Sequence, residues 1–238
     1  MSLPKLNAPI YDLTIPSTGN PIRVRPILVR EEKLLLMALQ SNDDNDIIQT
    51  TKDVIKACII DEDIDIEKLP FYDVDYLFIA LRAKSVGNNV DIKFTCKNTV
   101  DEEICGATFP AKIDVSNVRV KKTPVDETIQ IDKLKVKLRV PSYTDLRILD
   151  SFDDIDKPTH IIATCIEYIM DGDKIHTRKD VSQQELVQFV ENLTQEQYSK
   201  FLHFVDNFPS FVVESTATCT KCGFNHHLEY TDFQSFFA

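Results

Sequence analysis

Four cysteines in two widely separated clusters constrain this 238-residue chain more than any other feature. The stretch TATCTKCGFNHHLEY carries Cys219 and Cys222, followed by Gly223. The stretch FTCKNTVDEEICGATF carries Cys96 and Cys105, followed by Gly106. Each runs an expected strand into a cysteine, makes an excursion, and returns through Cys-Gly with an aromatic, Phe109 or Phe224, within the next three residues. Glycine after the second cysteine suits a knuckle, where the chain reverses at φ > 0 and turns backbone N–H groups toward thiolate sulfur. Zinc in a structural site takes four ligands in a tetrahedron, so neither pair completes a site alone. Together Cys96, Cys105, Cys219 and Cys222 make a four-cysteine set, a zinc-ribbon arrangement with one knuckle from each cluster. The first excursion, KNTVDEEI, is longer than the usual two-to-four spacing.

Other chemistries fit these residues less well. A redox Cys-x-x-Cys belongs at a strand-to-helix junction, where the helix N-terminus lowers a thiol pKa, whereas CTKCGFNHHLEY reads as turn and strand. His226 or His227 could replace Cys96 or Cys105, since imidazole ligates zinc. Adjacent strand residues point to opposite faces, however, so at most one could serve; the expectation assigns neither a task. A catalytic zinc keeps an open position and a nearby base, and four thiolates leave neither. A site with partial or no metal is the remaining reading. Cys58 and Cys165 fall on apolar helix faces, where free cysteine acts as a small hydrophobe.

The stretches leading to each cluster have the same order of expected elements. In the first, IRVRPIL alternates as a half-exposed strand, and helical spacing follows over 30–39. SNDDNDIIQTTKDVIKACII reads as a cap and an amphipathic helix carrying Cys58, LPFYDVDYLFIALRAKSVG as a helix stopping near Gly87, and NNVDIKFTC as a strand. In the second, IQIDKLKVKLRVPSYTDLRILDSF gives strands and a helix start. KPTHIIATCIEYIMDGDKI reads as a helix carrying Cys165, SQQELVQFVENL opens with a capping box from Ser182 to Glu185, TQEQYSKFLHFVDNF is a helix, and SFVVESTATC is a strand. The repeat period is too long for a solenoid and matches one duplicated unit. The expectation is an α+β protein of two related halves, 1–120 and 121–238, each strand–helices–strand, joined by the four-cysteine element and able to pack as a single domain.

Composition narrows the function classes. A hydrophobic fraction of 43% and a charged fraction of 27% are those of an ordinary globular protein with a sizeable core. A net charge of −11 opposes nucleic-acid binding and docking on anionic membranes. No apolar run has the roughly 18 to 20 residues of a spanning helix, and MSLPKLNAPIYDL lacks a secretion-signal pattern, so a reducing, cytosolic compartment is expected. DEDIDIEK spaces Asp61, Asp63 and Asp65 as a calcium loop does, but Ile66 and Tyr72 stand where such a loop needs Gly and Glu. No nucleophile motif accompanies His160, His176 or His203, and with 5 glycines phosphate-cradling loops are not expected. Near the carboxyl terminus Phe233, Phe236 and Phe237 would share one helix face. Packing on the chain's own core and docking in a partner's groove both suit them.

The segment NAPIYDLTIPSTGNPIRVRPILVREEKLLLMALQSNDDNDIIQTTKDVIKAC resembles the baseplate hub subunit and hub assembly family of T4-like contractile-tailed bacteriophages. The IPSTG turn at Ile15–Gly19 and the RVRPILVREEKLLLMA run at Arg23–Ala38 carry the likeness, which extends through LPFYDVDYLFIALRAKSVG and the first cysteine strand. The motif has no catalytic content. The resemblance implies a non-enzymatic late viral protein made in the host cytoplasm, needed to build the baseplate hub and contacting other hub or tail proteins. It leaves open whether such a protein stays in the virion baseplate or is a transient assembly chaperone for hub or tape-measure subunits; self-association is open too. A zinc-dependent enzyme is the least favoured alternative.

Overall fold

The computed structural model describes residues 6–41, 43–61, 63–147 and 155–231, and the aromatic trio Phe233, Phe236 and Phe237 lies outside them. The fold mixes helices and strands, as expected of an α+β protein. It forms two compact units: the chain up to Ile66 with Tyr72–Lys121 and the chain from Ser210, and Glu67–Phe71 with Lys122–Pro209. The chain leaves the first unit at Lys121 and returns to it at Ser210. Both cysteine clusters therefore belong to one compact unit.

In the first unit, β1 (Tyr11–Thr14) and β2 (Pro21–Val24) form an antiparallel hairpin with Tyr11 opposite Val24. Three helices follow: α1 (Val29–Ser41), α2 (Asp44–Cys58) and α3 (Phe71–Val86). Helix α2 begins where the acidic run predicted a cap, with the Asp43 carboxylate accepting from the Asn45 N–H. Helix α3 is apolar on nearly all sides and is accordingly buried, with Val74, Leu77, Ile79 and Leu81 fully enclosed. The chain then makes β3 (Asn89–Thr95), the short β4 (Thr99–Val100) and β5 (Glu103–Ile104), β6 (Thr108–Asp114) and β7 (Arg119–Lys121).

The second unit contains β8 (Thr128–Ile131), β9 (Leu134–Leu138), α4 (Tyr143–Arg147), α5 (Lys157–Cys165), β10 (Ile166–Asp171), β11 (Lys174–Thr177), α6 (Gln183–Glu191) and α7 (Gln195–Asp206). Its four strands form one antiparallel sheet in the order β11-β10-β9-β8. Ile129, Val136 and Leu138 from the sheet pack with Ile162, Cys165, Leu186, Phe201 and Phe204 from the helices. Here the expected long helix from Lys157 is corrected: it stops at Cys165, and IEYIMD is a strand. β-branched and aromatic residues favour the pleated conformation. The Gly172-Asp173 pair then turns the chain, with Gly172 at φ 58°, so β10 is held on both edges by β9 and β11. Helix α6 carries the predicted capping box, Ser182 Oγ and the Glu185 carboxylate exchanging bonds with each other's backbone N–H. Ser182→Ala is expected to destabilise this unit by about 1 kcal/mol, read from its urea midpoint.

One local arrangement occurs in both units. The Arg25 N–H donates to the Cys58 carbonyl at 2.9 Å, and the Arg139 N–H donates to the Cys165 carbonyl at 2.8 Å. Each arginine pairs with a carboxylate six residues on, Glu31 or Asp145. Each carboxylate also accepts the backbone N–H three residues before it, from Leu28 or Ser142, at the start of a helix. Finally β12 (Ser210–Thr218) pairs with both β7 and β13 (Asn225–Tyr230) in the first unit.

Candidate metal centre

Two antiparallel ladders deliver the cysteines. Strands β3 and β6 pair from Asn89 opposite Asp114 to Thr95 opposite Thr108, so Cys96 and Cys105 flank the ladder's end. Strands β12 and β13 pair out to Thr218 opposite Asn225, leaving Cys219 and Cys222 in the same position. The long excursion after Cys96 is resolved by β4 and β5. They form a small hairpin whose turn residues, Asp101 and Glu102, have φ of 51° and 69°, as a primed hairpin turn demands. The finger closes on itself, and the Cys105 N–H reaches the Asn98 carbonyl at 2.8 Å. Eight intervening residues thereby return the second cysteine to the end of its ladder, as two do in the other knuckle.

The two knuckles share their backbone bonds. Gly106 N–H donates to the Cys96 carbonyl at 3.1 Å, and Gly223 N–H donates to the Cys219 carbonyl at 3.0 Å. Cys96 N–H donates to the Ala107 carbonyl, and Cys219 N–H to the Phe224 carbonyl, each at 2.9 Å. Both glycines follow the second cysteine at positive φ, 61° and 71°, which side chains with a Cβ rarely adopt.

All four Sγ atoms lie within 4.8 Å of one another, a grouping able to hold a metal ion. Cys96 and Cys222 sulfurs are 3.6 Å apart, and those of Cys105 and Cys219 are 3.9 Å apart. A tetrahedron with zinc–sulfur bonds of about 2.3 Å has edges of about 3.8 Å, so these separations fit that geometry. They are far too long for a disulfide, whose sulfurs sit about 2.05 Å apart. Cys96 and Cys219 are buried, while Cys105 and Cys222 reach the surface.

Polar hydrogens surround the sulfurs. The Lys221 N–H approaches Cys219 Sγ at 3.4 Å and the Asn98 amide approaches Cys222 Sγ at 3.7 Å. Burial pushes the Cys96 thiol above the ordinary cysteine range, whereas the Phe224 backbone N–H pulls Cys222 below it. His226 Nε2 lies 3.1 Å from Cys96 Sγ, with its ring between Phe94 and Phe224 at centroid distances of 5.0 and 4.8 Å. His226 is buried and His227 exposed, as strand alternation requires. Sequence alone assigns neither histidine a task; two signals point to His226, its parity with the apolar Leu228 and its position four residues past Cys222.

A sequence profile described as T4 bacteriophage base plate protein matches residues 8–238. The chain belongs to that family. Neither a curated protein nor a solved structure matches it.

Within this base plate protein, the Arg23–Ala38 motif has a structural task. Glu31 is buried and accepts from both ends of the Arg25 guanidinium at 3.1 and 3.3 Å, from Arg30 Nε at 2.6 Å, and from the Leu28 N–H at 2.8 Å. Burial alone would raise its pKa, but the bonds from Arg25, Arg30 and Leu28 outweigh it and hold the carboxyl at about 2. Burial pushes the Cys58 thiol up to about 11 and Cys165 to about 12, so both are inert thiols. The acidic link serves as a clamp, Asp61 taking the Arg23 guanidinium at 2.7 and 2.9 Å. Among the described residues no helix is long and apolar enough to cross a membrane.

Proposed function

We propose that this protein is a non-enzymatic part of the contractile-tail baseplate hub, as resident component or assembly factor, working by contacts with other hub or tail proteins. The observation that carries this reading is the family match over residues 8–238. On this reading Cys96, Cys105, Cys219 and Cys222 hold one structural zinc, a ribbon that clamps two segments distant in sequence. Support comes from the all-thiolate donor set and its sulfur separations. Four protein ligands fill a tetrahedron, which leaves no vertex for a substrate or an activated water.

The chain also reads as a duplicated unit. The Arg–carboxylate–cysteine arrangement recurs with the same three- and six-residue spacings, and the two knuckles repeat each other's backbone bonds. On this view the two ancestral knuckles have merged into one ribbon, while the preceding hairpins and helices remain in separate units.

Phage lacking the protein are expected to give particles without attached sheath and to lose infectivity, scored by electron microscopy and plaque count. Wild-type yields would refute the hub role. Mass spectrometry of purified virions separates the two forms of the role: a stoichiometric signal marks a resident component, and its absence marks a chaperone that departs after assembly.

A further inference from the structure

The two knuckles are alike in their backbones and differ in the polarity of one buried side chain. Four residues after its second cysteine, the first knuckle places Phe109, 3% exposed, and the second places His226, 8% exposed. Both point into the cluster of Cys96, Cys219, Phe109, Ala111 and Leu228. An imidazole there costs more to bury than a phenyl ring unless it is hydrogen-bonded. Around His226 stand the rings of Phe94, Phe109 and Phe224, which offer no conventional acceptor. The acceptor within reach of Nε2 is Cys96 Sγ at 3.1 Å.

We infer that His226 is a positioning residue for the metal centre: its Nε2–H donates to the Cys96 thiolate and holds that sulfur on the ion. The inference rests on the zinc reading of the four cysteines. Four thiolates around a divalent cation carry a net charge of −2, and N–H donors spread that charge into the protein. Cys219 receives the Lys221 N–H, Cys222 the Asn98 side-chain amide, and Cys96 the Asn98 backbone N–H. Cys96 takes an imidazole donor in addition, and its low-dielectric surroundings strengthen that bond. An N–H bond to a metal-bound thiolate also lowers its nucleophilicity, so loss of the bond speeds its reaction with alkylating reagents.

The pseudo-equivalent Phe109 supplies the substitution that tests this. The full-length zinc-loaded protein is compared with His226→Phe and His226→Gln by competition with the chromogenic chelator 4-(2-pyridylazo)resorcinol. Cysteine alkylation is mapped by mass spectrometry in parallel. Loss of an outer-shell donor typically weakens metal binding about 10- to 100-fold. His226→Phe is expected to lose about 10-fold in zinc affinity and to expose Cys96 to alkylation ahead of Cys219. Glutamine, whose amide N–H can occupy the Nε2 position, is expected to restore most of both. Affinity and alkylation order unchanged in His226→Phe would overturn the inference, as would equal acceleration at all four cysteines. A wild-type protein that takes up no zinc would instead bring down the metal reading itself and this inference with it. Nitrogen-15 NMR of the wild-type zinc form decides the matter without a variant. A protonated Nε2 is expected, and a bare Nε2 facing the sulfur or the metal would refute the donor role.

Discussion

Cys222→Ser is expected to abolish stoichiometric zinc binding and to lower the melting temperature by about 10 °C or more, measured by metal analysis and calorimetry on the same samples. The size follows from what the cluster replaces. The cysteines join a segment near residue 100 to one near residue 220, and besides the cysteines only Phe109, Ala111 and Leu228 are fully buried in their cluster, with Ile92, Phe94 and Tyr230 partly buried beside them. Structural zinc contributes apparent binding free energies of roughly 10 to 16 kcal/mol in small domains. Even a fraction of that is several kcal/mol here, and in a chain of this size each kcal/mol moves the midpoint by about 2 to 4 °C. Serine is close in size but a poor zinc ligand, so the loss reports coordination rather than packing. Cys165→Ala is the control, since that thiol is buried away from the cluster: stability should fall modestly while zinc content stays at one per chain. A chelator should reproduce the Cys222→Ser effect in the wild type and leave the variant unchanged. Full zinc content in Cys222→Ser would refute the four-cysteine assignment.

Glu31→Gln is expected to cost about 3 kcal/mol at neutral pH, because it leaves Arg25, itself largely buried, without its carboxylate. The neighbouring Glu32→Gln, on the exposed face of the same helix, should change stability by less than about 0.5 kcal/mol. The pH dependence separates charge from shape. Glu31 titrates at about 2 in the folded protein against an ordinary 4.5, so the unfolded chain binds the proton more readily. Its contribution is therefore complete above about pH 4.5 and disappears as pH falls from there through 2. Urea midpoints of wild type and Glu31→Gln should differ most near neutrality and converge toward pH 2. A gap that stays constant over that range would show that packing, not the ion pair, holds the start of α1.

Much of this was legible along the chain because it depends on neighbours in sequence. The cap at Asp43, the capping box at Ser182 and the helices around Cys58 and Phe201 are set by side chains three or four residues apart. The cysteine clusters were legible for the same reason: a knuckle is a local turn with glycine at positive φ. The strand at 166–171 was not, since Ile166–Met170 follow an amphipathic helix without a break and their partner β9 lies about thirty residues earlier. The Gly172-Asp173 turn was the local sign of it.

The sequence by itself pointed to four thiols that belong together, because two knuckles of one form offer two thiols each and a tetrahedral site takes four. It also determined that only one histidine of the pair could face them, because side chains alternate along a strand. Which one faces them, and what it meets there, was decided by tertiary structure. The pairing of β12 with β13 buries His226, and the β3–β6 ladder brings Cys96 within 3.1 Å of it across 130 residues of chain. The return of the chain from Ser210 to the first unit was likewise a tertiary decision. It rests on the ladder between β12 and β7, a match of backbone N–H and carbonyl groups that no side-chain pattern announces.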